Sequence, residues 1–93
     1  RVTARNGGID VWAYKEKRKV AIQCKHWRHP VGPAEIREFN GSRGRQIADE
    51  AIFVTSSTFT EQAAAEANQA GIKLIDGSEL IRLFAESYRP SSS

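Results

Sequence analysis

The run Ala51, Ile52, Phe53, Val54, Thr55 limits what this chain can fold into more than any other stretch. Five uncharged residues in a row, rich in strand formers, are the mark of a strand buried on both faces in a layered α/β sheet. A helix pattern flanks this run on each side. Pro33 suits the first turn of a helix carrying Ile36, Phe39 and Asn40, while Gly41 and Gly44 leave its end undefined. Thr60 caps an alanine-rich helix over residues 61–70, and Gly71 ends it where a left-handed residue is favoured. Strands joined by such helices run parallel through crossovers.

The other segments complete the order. Residues 19–25 alternate with period two, setting Val20, Ile22 and Cys24 on one face and Ala21, Gln23 and Lys25 on the other. The first set is the more apolar and is expected to face the core. Residues 9–14 read as the preceding strand, 15–18 as a hairpin connection about Lys17, and 2–5 as a further short strand before the turn Asn6, Gly7, Gly8. A loop follows over 26–32. Residues 72–75 form a last short strand, Asp76 and Gly77 a turn, and Ser78 the cap of a helix reaching about Glu86. The fold class is therefore α/β, in the order β-β-β-α-β-α-β-α, with a mixed central sheet flanked by helices. Residues 1–88 form one domain and 89–93 a tail or linker.

With 93 residues there is room for one core only. The chain starts at Arg1 and has no Met, so it reads as a piece cut from a longer one. No apolar run is long enough to cross a bilayer. A lone thiol, Cys24, suits a reducing compartment, with the cytoplasm as the expected location. The net charge of +3 conceals an imbalance: residues 1–45 hold 11 Lys/Arg against 4 Asp/Glu, and residues 46–93 hold 3 against 7, or +7 and −4. Such a basic half is expected of a domain that meets a phosphate backbone; a merely solvated basic hairpin is the plainer alternative.

Pairing the strands directly about Lys17 sets Asp10 near the level of Cys24 and Lys25. One carboxylate, one amide and one ammonium then share a patch, which suits phosphodiester hydrolysis. Mg²⁺ favours hard oxygen ligands and keeps several waters, so Asp10, the Gln23 side-chain carbonyl and the Cys24 backbone carbonyl are a sufficient set. Lys25 can orient the attacking water or stabilise charge on the phosphorane-like transition state. Each residue alone has a plainer reading: a turn-end carboxylate, a solvent-facing amide, an edge-strand lysine. Cys24, His26 and His29 offer three zinc ligands where structural sites want four, and an inward Cys24 makes buried-thiol packing the better reading. Candidate DNA contacts are Lys15, Lys17, Arg18, His26, Arg28, His29 and Arg37, with the Thr55 and Ser56 hydroxyls. Trp27 is assigned to the core.

The blocks Asn6-Gly7-Gly8-Ile9-Asp10 and Gln23-Cys24-Lys25, followed by Val31-Gly32, Ile52-Phe53-Val54-Thr55 with Phe59, and Leu74-Ile75-Asp76-Gly77 with Leu80, resemble the catalytic domain of Mrr-type restriction endonucleases. These belong to the PD-(D/E)xK nuclease superfamily, as a variant with Gln before the Lys. The resemblance runs from Asn6 to Leu83. It implies a restriction-endonuclease-like three-layer core, here without the family's N-terminal helix and with Asn6 where the family has an acid. It further implies Asp10, Gln23 and Lys25 as the catalytic set, Mg²⁺ (or Mn²⁺) as cofactor and double-stranded DNA as substrate. A homodimer, or association with other domains of a longer chain, and a role in prokaryotic or phage defence follow from the same resemblance. The competing expectations are a nuclease fold that binds DNA without cutting it, and a structure-selective nuclease of the Holliday-junction type.

Overall fold

A computed structural model describes residues 2–3, 11–45 and 48–87. The elements are β1 (Val2–Thr3), β2 (Val11–Lys15), β3 (Arg18–Lys25), α1 (Pro33–Arg45), β4 (Glu50–Thr55), α2 (Glu61–Ala70), β5 (Lys73–Ile75) and α3 (Gly77–Ser87). One five-stranded sheet takes them in sequence order, β1-β2-β3-β4-β5. The first three strands are antiparallel, and β3, β4 and β5 are parallel. Both parallel steps pass through a helix, as the apolar run and its flanking helix patterns imply.

The β2–β3 hairpin turns on two residues only, Glu16 (φ 50°) and Lys17 (φ 72°), so Lys15 pairs with Arg18. Two positive φ values in succession are the geometry whose twist matches the flanking strands, normally supplied by Asn-Gly. Val11 accordingly lies opposite Ile22, one residue away from the pairing expected about Lys17.

The inward face of β3 is the reverse of the expected one. Ala21 is fully buried and Gln23 is 8% exposed, whereas Cys24 is exposed and Val20 and Ile22 are only partly covered. The cause is the helical layer. Ile36 and Phe39 of α1 and Ala63 and Ala67 of α2 pack with Ala21, Ala51 and Phe53, and the Phe39 ring meets Phe53 edge-on at 5.6 Å. Alanines on both surfaces let helix and sheet approach closely, and two phenylalanines fill the space between. The same geometry modifies the reading of β4: Ala51, Phe53 and Thr55 are buried, but Ile52 and Val54 on the other face are only partly so.

The capping of α2 agrees with the sequence. The Thr60 hydroxyl accepts from the Ala63 amide at 3.0 Å, and Gly71 sits at φ 71°. The cap of α3 does not: Asp76, not Ser78, closes it. The Asp76 carboxylate accepts from the Glu79 amide at 2.9 Å and from the Ser78 hydroxyl at 3.1 Å. Gly77 is required there, because a Cβ on it would lie 2.2 Å from the Ser56 carbonyl oxygen. Leu80 shares a pocket with Cys24 and Val54, which sets α3 on the sheet face opposite α1 and α2 and completes three layers. That layer is thinly packed, with Ile81 72% and Phe84 64% exposed.

Candidate active site

The parallel register of β3 and β4 sets Lys25 beside Thr55, so the loops leaving both strands start at one edge of the sheet. Short hydrogen bonds join them. The Lys25 carbonyl accepts from the Thr55 hydroxyl at 2.9 Å and from the Ser56 amide at 3.2 Å. Thr55 Oγ1 in turn accepts from the Ser57 amide at 3.1 Å, and the Ser56 hydroxyl donates to the Trp27 carbonyl at 3.1 Å. A second clasp lies just beyond, where Val31 donates to the Thr58 carbonyl at 2.8 Å and Thr60 donates to the Val31 carbonyl at 3.0 Å.

On this frame Gln23 and Lys25 share the β3 face that looks toward the helical layer, with Gln23 buried and Lys25 half-buried. The Lys25 ammonium lies 5.5 Å from the centre of the Trp27 ring, and the His29 ring stacks on Trp27 at 4.4 Å and 27°. Trp27 also packs against the core, as expected. Its closeness to Lys25 was missed in the sequence; the i, i+2 spacing at a strand end is the signal that could have given it. Asp10 lies outside the described residues, as does the Asn6-Gly7-Gly8-Ile9 block before it. The described chain resumes at Val11, opposite Ile22.

The expected DNA contacts divide among four places. His26, Arg28, His29 and Ser56 are exposed around Lys25. Lys15, Lys17 and Arg18 stand at the hairpin, roughly 23 Å away along a strand that rises about 3.3 Å per residue. Arg18 is paired there with Glu50 at 2.7 Å. Arg37 lies on the helical layer, tied to Glu66 at 3.3 Å between α1 and α2. Thr55 is completely buried with its hydroxyl committed to the Lys25 carbonyl, so its part is to fix the strand ends, and its reading as a DNA contact is corrected. Cys24 is likewise corrected from a packed thiol to an exposed one. Among the described residues no group of three His, Cys, Asp or Glu side chains converges on a point, so Cys24, His26 and His29 form no zinc site.

A mixed sheet whose antiparallel hairpin leads into parallel crossovers, with an amide and an ammonium on one strand end, defines a restriction-endonuclease-like α/β domain. Residues 1–84 match the family model Mrr_cat, described as a restriction endonuclease, and the chain belongs to that family. It is 37% identical over 86 residues to the type IV methyl-directed restriction enzyme EcoKMrr of Escherichia coli (strain K12), a match covering 88% of this chain and 28% of the relative's length. Two solved structures share the fold. AF1548, a protein of unknown function, matches with a TM-score of 0.77 at 22% identity, over 94% of this chain and 56% of that one. The DNA modification-dependent restriction endonuclease AspBHI matches with a TM-score of 0.67 at 15% identity, over 82% of this chain and 21% of that one.

Proposed function

We propose that this chain is the catalytic domain of a metal-dependent endonuclease that hydrolyses phosphodiester bonds of double-stranded DNA within a restriction or defence protein. The observation that carries the reading is the common face of Gln23 and Lys25 at the end of β3, in a chain of the Mrr family.

The donor set suits a hard divalent cation. The Lys25 carbonyl is directed at β4, where the Ser56 amide and Thr55 hydroxyl meet it. Successive carbonyls along a strand point to opposite edges, so that of Cys24 is directed toward the β2 side. Asp10 directly precedes Val11 and is within one peptide unit, about 3.8 Å between Cα atoms, of a residue on that strand. The Asp10 carboxylate, the Gln23 amide oxygen and the Cys24 carbonyl would hold Mg²⁺, or Mn²⁺ in its place. All three are oxygen donors, the type a hard divalent cation prefers. When bound, such an ion supplies a Lewis acid and a water of lowered pKa.

The chain's own residues then have separable tasks. Lys25 donates from its ammonium to phosphate oxygens as negative charge grows on them. The exposed loop bearing His26, Arg28 and His29 meets backbone phosphates and fixes the duplex in register. Cutting both strands needs two such centres, so the reading includes a homodimer or a second domain of a longer protein. The reading also keeps the protein in the cytoplasm, and no helix among the described residues is long and apolar enough to cross a membrane.

The test is nicking of supercoiled plasmid with Mg²⁺ or Mn²⁺ by the wild type and by Lys25→Ala. Metal-dependent nicking that the variant loses supports the reading. Salt-sensitive DNA binding by a folded wild type that never cuts would replace it with a binding module. Preference for branched over linear duplex would select the structure-selective alternative.

A further inference from the structure

Beyond the assignment of Lys25, we infer that Trp27 is the positioning residue for its ammonium, holding it over an aromatic face. The inference rests on the nuclease reading for its catalytic meaning, while the contact itself stands on geometry.

A lysine carries its charge on a four-carbon stem with several rotatable bonds, so an ammonium that acts at one phosphate has to be ordered by something. Elsewhere among the described residues Arg18 is paired with Glu50, Arg37 with Glu66 and Arg82 with Glu79 and Glu86, while the Lys19 ammonium lies 6.0 Å from the centre of the Tyr14 ring. No described carboxylate forms an ion pair with Lys25. The Trp27 ring takes that place at 5.5 Å, within the roughly 6 Å over which an indole face attracts a cation.

The ring is well fixed for the task. It packs against the core, His29 stacks on it at 4.4 Å, and its own carbonyl accepts from the Ser56 hydroxyl at 3.1 Å. The Lys25 carbonyl is held by the amide of the same Ser56 and by the hydroxyl of Thr55 at the end of β4. The backbones that carry the ammonium and the ring therefore share one frame.

The chemistry of the partner matters as much as its position. A carboxylate would neutralise the ammonium and occupy its N–H donors. A π face attracts the charge without taking up directed hydrogen bonds, so the donors stay available for phosphate oxygen or water. Trp27 thus orders Lys25 without quenching it.

The experiment compares wild type, Trp27→Phe, Trp27→Leu, Lys25→Ala and the Trp27→Leu/Lys25→Ala double variant. The ¹H shift of the Lys25 ε-methylene is read by NMR and plasmid nicking is measured with Mg²⁺. Expected for the wild type is an upfield ring-current shift, absent in Trp27→Leu and restored in part by Trp27→Phe. Nicking by Trp27→Leu should fall about tenfold in kcat with little change in KM, as expected for a contact of this class. Trp27→Phe should recover most of that loss, and Trp27→Leu should cost nothing further once Lys25 is Ala. An ε-methylene shift that is the same in wild type and Trp27→Leu overturns the inference, as does a full loss in the Lys25→Ala background. Should Trp27→Leu fail to fold, the wild-type shift and Trp27→Phe kinetics decide alone: a random-coil shift overturns the contact. A wild type that does not cut overturns the nuclease reading and the catalytic half of the inference, while the shift still decides the contact.

Discussion

The two ends of β3 are fastened in different ways. At the hairpin end, the Arg18 side chain is bound to Glu50 at 2.7 Å, the Lys19 backbone amide donates to the Asp49 carboxylate at 2.7 Å, and the Lys19 ammonium lies 6.0 Å from the centre of the Tyr14 ring. At the other end, Lys25 has a ring beside it, and its carbonyl is held by the buried Thr55 hydroxyl and the Ser56 amide. At the first end one ion pair and one backbone-to-carboxylate bond fasten β3 to β4. At the second end no carboxylate among the described residues pairs with the ammonium, which suits the role proposed for Lys25 on an anionic substrate. The comparison separates Arg18, whose ion pair holds the fold, from Lys25, the cation proposed for the chemistry, although sequence composition counts them alike.

The largest effect should come from the second end. Lys25→Ala should lower the nicking rate by on the order of 10²- to 10³-fold, the usual loss when one preorganised donor to a developing charge is removed. Its melting temperature and its DNA affinity should stay close to those of the wild type. A variant that still cuts at the wild-type rate would end the distinction between the two ends.

Thr55→Val comes next. The change keeps the shape but removes the bond to the Lys25 carbonyl and the acceptor for the Ser57 amide, both at a buried position. It should cost about 1–3 kcal/mol, the range for leaving a buried partner unsatisfied. Denaturant unfolding measures this. Nicking should also weaken, since the strand end that carries Lys25 loosens. Unchanged stability would mean that the Ser56 amide alone suffices to pin that end.

These particulars show what was legible in the sequence. The strand and helix order was plain, because turn and cap residues such as Thr60 and Gly71 act locally and state their role by type. The pairing of Gln23 and Lys25 on one face was plain for the same reason, since alternation is a local property of a strand. Which face turned inward was not. Val20, Ile22 and Cys24 outscore Ala21 and Gln23 in hydrophobicity, but the helices approach where alanines face alanines, a matching of surfaces far apart in sequence. The α3 cap was ambiguous because Asp76 and Ser78 are both capping types, and only the carboxylate reaches the Glu79 amide. The hairpin register was hidden by a turn built from Glu16 and Lys17, neither of which announces a left-handed backbone.

That turn provides a smaller effect of opposite sign. Both residues hold positive φ, which costs residues with a Cβ energy that glycine and asparagine largely escape. Replacing Glu16 by Asn and Lys17 by Gly should raise stability by about 1 kcal/mol. Thermal unfolding reads this directly, and nicking should not change. Altered nicking would show that the hairpin end takes part in DNA engagement after all.

Arg18→Ala should have the smallest effect and makes the sharpest comparison. Its ion pair with Glu50 is half-exposed on both sides, at 55% and 51%, so solvent screens it and the loss should stay below about 1 kcal/mol. The informative measurement is the dependence of DNA affinity on salt. A cation that contacts phosphate reduces the slope of log K against log salt by about one when it is removed. An Arg18 committed to Glu50 predicts an unchanged slope, while Arg28→Ala in the loop beside Lys25 predicts the full reduction. Equal reductions for both would extend the DNA surface along the whole of β3, and the hairpin cations would then serve binding as well as the fold.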